Sequence, residues 1–65
     1  MSLSPRQVEV IELIAIGAGD KEIADVLGIS VETVDFHVRE ILSRLHAKTR
    51  AHAVATYIMK QAGWV

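Results

Sequence analysis

A chain of 65 residues with a formal net charge of −1, 51% hydrophobic residues and no cysteine makes one small domain, residues 1–65, with a modest core. The missing cysteine excludes a disulfide scaffold, a thiol nucleophile and a thiolate metal site, and it fits a reducing compartment. No apolar run approaches the ~20 residues of a membrane span, and the start lacks both the basic and the apolar region of a signal peptide, so the expected setting is the cytoplasm, away from membranes.

The pattern predicts four helices and no strands. Ser4-Pro5 opens the first, because serine is a good cap and proline fits the first helical position. Val10, Leu13, Ile14 and Gly17 repeat at helical spacing, and Gly17-Ala18-Gly19 stops the helix. The second helix runs from about Asp20, taken as its cap, to Leu27, with Ile23, Ala24 and Leu27 facing inward. Gly28 is placed for a left-handed turn, Ile29 plugs the core, and Ser30 caps the third helix with Glu32 in its first turn. That helix runs to Leu45 or His46. At about 100° per residue, Val34, Val38, Ile41 and Leu45 share one stripe, while Phe36 falls opposite it beside Glu32, Arg39 and Ser43. Thr49 caps the fourth helix, whose inner face is read as Ala51, Val54, Ala55, Ile58 and Ala62. Gly63 ends it, leaving Trp64-Val65 as a tail.

Charge is divided unevenly along this chain. Residues 1–35 hold two cations (Arg6, Lys21) and seven anions, a net of −5, whereas residues 36–65 hold five cations (Arg39, Arg44, Lys48, Arg50, Lys60) and one anion (Glu40), a net of +4. The second half is therefore the one suited to a polyanion. With seven cations in all, phosphate contacts are few and one copy binds weakly.

Two short helices joined by a glycine-containing turn describe a helix-turn-helix. A major groove about 12 Å wide admits one helix, and the tight turn aims the outward residues of the second helix at base edges. The residues resemble a known family. Leu3-Ser4-x-Arg6 is followed by Ala15-x-Gly17-x-x-x-Lys21-Glu22-Ile23-Ala24, then Leu27-Gly28-Ile29-Ser30-x-x-Thr33-Val34-x-x-His37, with Leu45, Arg50 and Ala53 after them. About a dozen spaced positions agree with the LuxR-type DNA-binding domain of bacterial transcription regulators. Three departures from the family pattern stand out: Asp35 where a basic residue is common, Gln7 where glutamate is usual, and the pair Gly19-Asp20 in place of a hydroxyl residue and asparagine.

The resemblance implies an all-α, four-helix domain that binds promoter DNA, an output domain usually found C-terminal to a sensor. It implies a homodimer joined through the fourth helix, whose outer face is read as Ala53, Tyr57 and Lys60, and RNA polymerase as a further partner. Phe36-His37 and Ala53-Val54-Ala55 look like the acyl-homoserine-lactone quorum-sensing branch. Base-reading positions in such domains correspond here to Asp35, Phe36 and Arg39.

Each of these residues has a plainer reading beside the DNA reading. Arg39 is the foremost base reader, able to grip guanine O6 and N7 in a fork, or to form an i, i+4 ion pair with Asp35; the two are compatible. Asp35 is able to accept from cytosine N4, to repel phosphates, or to stand as a solvated charge. Phe36 suits a thymine methyl, or a neighbouring domain. Thr33 reaches a phosphate from the first helical turn, or bonds locally. His37, at the boundary of the buried stripe, donates to a phosphate or to a backbone carbonyl. Lys48, Thr49 and Arg50 stand at a helix start that favours anions, or are loop charge with Arg50 pinning the domain. Lys21 is a weaker phosphate contact. His37, His46 and His52 lack metal-ligand spacing, no nucleophile, base and orienting group occur together, and no cofactor is implied. The competing class is a protein-interaction module whose acidic first half docks a partner such as polymerase. Salt separates the two, because only DNA binding should weaken steeply as counterions are released.

Overall fold

The computed structural model describes residues 3–64; Met1, Ser2 and Val65, the last residue of the expected tail, lie outside the described residues. The elements are α1 (Pro5–Ala15), α2 (Asp20–Leu27), α3 (Val31–Leu45) and α4 (Arg50–Gln61), an all-helical order in line with the expected one.

Local chemistry sets each boundary. The Ser4 Oγ accepts from the Gln7 N–H at 3.2 Å and the Gln7 Oε1 accepts from the Ser4 N–H at 2.9 Å, a reciprocal cap. Gln7 is 6% exposed. A neutral amide closes this cap without burying a carboxylate charge. At the other end of α1, Gly17 takes φ 93°. Its N–H reaches the Ile14 carbonyl and the Ala18 N–H reaches the Leu13 carbonyl, each at 3.0 Å, the closing pair of bonds that a left-handed glycine permits.

The start of α2 differs from the sequence reading. Gly19, not Asp20, is the cap, and the Glu22 carboxylate accepts the Gly19 N–H at 2.8 Å. Asp20 is already helical, and its carboxylate is turned toward Arg50. Gly28 follows with φ 69°, and Ser30 caps α3 by accepting from the Thr33 N–H at 3.1 Å.

The core consists of Val10, Ile11, Ile23, Ala24, Val34, Val38, Ile41, Leu45 and Ala53. Leu27 and Ile29 pack against it partly buried. Helix α3 touches each of the other three helices, α1 touches all the others as well, and α2 and α4 do not pack on one another. Ile11, absent from the sequence reading of α1, is buried, whereas Leu13 and Ile14 lie at the margin.

Helix α4 is rotated from its expected setting. Ala53 is 2% exposed, and Val54 and Tyr57 pack against the core. Ala51, Ala55, Ile58 and Ala62 are exposed. Ala53 therefore faces the core and not the outer face expected of it, Tyr57 lies half-buried at the core edge, and Lys60 alone of the three is exposed. The reason is that alanine marks neither face of a helix, while Tyr57 does. Its ring covers the core edge and its O–H donates to Glu12 Oε2 at 3.0 Å. Burial and the adjacent Glu12 carboxylate push the Tyr57 phenol above its ordinary range.

Candidate nucleic-acid interface

Helix α3 buries Val34, Val38, Ile41 and Leu45 and turns Glu32, Phe36, Arg39 and Ser43 outward. Phe36 is 59% exposed, an aromatic ring in water with polar neighbours, as the helical angle predicts. Its ring lies 5.9 Å from that of His37 at 59°. His37 is half-buried, and its Nδ1 is shut away from solvent with no hydrogen-bond partner among the described residues. Contact with an outside group therefore falls to Nε2.

Arg39 and Asp35 form the i, i+4 pair expected from the sequence, Nη2 to Oδ2 at 2.9 Å, with Arg39 largely exposed and Asp35 about half exposed. Such a pair contributes about 0.2–0.5 kcal/mol and yields readily to a better acceptor. Thr33 sits in the first turn of α3, its hydroxyl 2.9 Å from that of Ser30. Thr49 caps α4 by accepting from the His52 N–H at 3.0 Å. A hydroxyl that accepts still has its own hydrogen to donate, so the Thr49 cap leaves an outward donor.

Two links near this surface were not legible in the sequence. The His52 Nδ1 accepts the Lys48 N–H at 3.2 Å and ties the loop before α4 to its first turn. Arg50 grips Asp20 through both ends of its guanidinium, Nη1 to Oδ1 and Nη2 to Oδ2, the latter at 3.0 Å. This fork joins the first residues of α2 and α4, two helices that otherwise do not pack together. Of the two readings of Arg50, pinning the domain is the one that the geometry displays. Lys21 and Lys48 are exposed.

The Arg50 hydrogen bond holds the Asp20 carboxyl below its ordinary range against a smaller opposing effect of burial. Asp20 in turn raises Arg50, with a further contribution from the charge of Asp35. A carboxyl depressed in the folded state stabilises the fold above its unfolded value and loses that contribution as pH falls through its folded value. The pair is partly exposed, so its contribution is about 1 kcal/mol or less. Asp20→Asn should lower the urea midpoint near neutral pH by that modest amount. The gap between variant and parent should close below about pH 4, and a gap unchanged into acid would show that the charge of Asp20 is not what stabilises.

Comparison with known proteins places this geometry. A family model described as "Bacterial regulatory proteins, luxR family" matches residues 1–57. The chain is 41% identical over 59 residues to the oxygen regulatory protein NreC of Staphylococcus carnosus (strain TM300), an overlap of 91% of this chain and 27% of that protein. The NreC of Staphylococcus aureus (strain JH9) is similar to the same extent, 41% over 59 residues with the same coverage. The chain thus spans about a quarter of the length of these curated relatives. Among the described residues, no helix is long and apolar enough to cross a membrane.

Proposed function

Because the chain belongs to the luxR family of bacterial regulatory proteins, a family of helix-turn-helix DNA-binding domains rather than enzymes, we propose that it reads promoter DNA by laying α3 in the major groove. One observation carries this reading above the others. The helix that follows the Gly28-Ile29-Ser30 turn presents Phe36, Asp35 and Arg39 to solvent, while its opposite face is locked into the core. Arg39 takes guanine, Phe36 lies against a thymine methyl, and Asp35 meets a cytosine N4 or turns phosphates away. Thr33, His37 through Nε2, Lys48, Thr49 and Lys21 contact the backbone and fix the register. Arg50 contributes by holding the start of α4 against the start of α2.

Two copies bind a pseudo-palindrome. The contact between them is assigned to the exposed face of α4, Ala51, Ala55, Ile58 and Ala62; Lys60 projects from the opposite side of that helix. The domain serves as the output of a larger regulator that takes its signal in the manner of response regulators, to which the oxygen regulatory relatives point, or of quorum-sensing receptors. RNA polymerase is its further partner, and the cytoplasm its setting.

The test is a titration of ¹⁵N-labelled domain with mixed-sequence duplex at low and raised salt. Shifts should centre on residues 33–39 and 48–50 and fade with salt, each phosphate contact adding about −0.9 to the slope of log K against log salt. Lys48→Ala should weaken every duplex alike and flatten that slope by about one contact. Silence in these segments at low salt would overturn the proposal.

A further inference from the structure

A second surface of the molecule lies away from α3. Glu9, Glu12 and Ile16 stand three and seven residues apart along α1 and so share a stripe that ends at its C-cap. Glu22 and Val26 stand four apart on α2. Ile16 is 79% exposed and Val26 66%, two branched aliphatic side chains left in water at the C-terminal ends of adjacent helices. A groove of about 380 Å³ runs between them, lined by Glu9, Glu12, Leu13, Ile16, Val26 and Leu27. Leu13 and Leu27, packed on the core, form its floor. No lysine or arginine lines it. Glu9 meets Arg6 at 3.4 Å, and Glu12 accepts from Tyr57, but both glutamates are exposed.

We propose that this α1–α2 groove docks a positively charged amphipathic helix of a partner protein. Its aliphatic side chains would lie on Leu13, Ile16, Val26 and Leu27, and its lysines or arginines would face Glu9 and Glu12. Charge selects the occupant. An anionic rim repels nucleic acid, and a second copy presenting the same groove would bring carboxylate against carboxylate. A cationic helix supplies both the apolar stripe and the matching charge. No residue of the groove belongs to the proposed DNA surface. The inference stands independently of the reading of α3.

Selection of random helical peptides displayed against the domain tests it, followed by fluorescence anisotropy and shift mapping of the enriched sequences. Enriched peptides should carry lysine or arginine beside an apolar stripe at helical spacing and shift residues 9–16 and 22–27. The double variant Ile16→Ser with Val26→Ser should weaken them at least 10-fold while leaving the circular dichroism and DNA affinity unchanged. Glu9→Gln with Glu12→Gln should weaken them and remove most of their salt sensitivity. Enrichment of acidic or uncharged peptides would overturn the proposal, as would binding that survives the serine variant. Self-association of the domain that the serine variant abolishes would overturn it too, by assigning the groove to a second copy.

Discussion

Replacing Arg39 by alanine should lower affinity for a selected duplex by roughly 10- to 100-fold and barely change affinity for a scrambled one. The difference follows from what Arg39 gives up and gains. In the free domain it holds Asp35 at 2.9 Å on an exposed helix face, an interaction worth about 0.2–0.5 kcal/mol. A bidentate grip on guanine is worth about 1–3 kcal/mol of discrimination, so exchange of partners is favourable only at the right base. Anisotropy with the best duplex from a random pool, set against a scrambled control, measures both arms. Equal loss on the two duplexes would make Arg39 a phosphate contact instead of a reader. On the same reading, Asp35 would hold the guanidinium over the outer face before contact, so that less side-chain freedom is lost on binding.

Ile41→Ala should bring the domain close to unfolding. Ile41 is fully buried on one of the two helices that touch all the others, and such truncations cost about 2–5 kcal/mol. The total stability of a chain this size is only about 3–10 kcal/mol. The urea midpoint should fall severely, and saturating duplex should restore part of it by mass action. Ile58→Ala removes the same group from the exposed face of α4 and should stay within about 0.5 kcal/mol of the parent. Equal losses at the two isoleucines would return α4 to the orientation that its sequence pattern first implied.

That contrast marks how far the sequence could be read. Caps and turns are local, so Ser4, Gly28, Ser30 and Thr49 were legible from residue type alone. The stripe of Val34, Val38, Ile41 and Leu45 was legible because large aliphatics alternate there with charged residues, and the same periodicity placed Phe36 outside. In α4 two stripes compete, one through Ala53, Val54 and Tyr57 and one through Ala51, Ala55 and Ile58. Alanine cannot separate them, and the choice is made by the Tyr57 ring and its bond to Glu12, a residue 45 positions away. Asp20 and Arg50 are 30 positions apart, and no periodicity announces such a pair. The departure at Gly19-Asp20 was visible, but its partner was not. Gln7 stood out as a substitution, but its burial and its reciprocal bond with Ser4 did not.

The helix proposed to read DNA, α3, also packs against all three of the others. Its inward residues answer to three neighbouring helices, whereas Glu32, Asp35, Phe36, Arg39 and Ser43 have little to do with the core. The two sets interleave along the same turns but can vary without consulting each other. On the proposed reading, a duplicated copy of such a domain would acquire a new operator by changing a few outward side chains while every core residue stays as it was. Exchange of those five positions between relatives should move target preference and leave the melting curve nearly where it began.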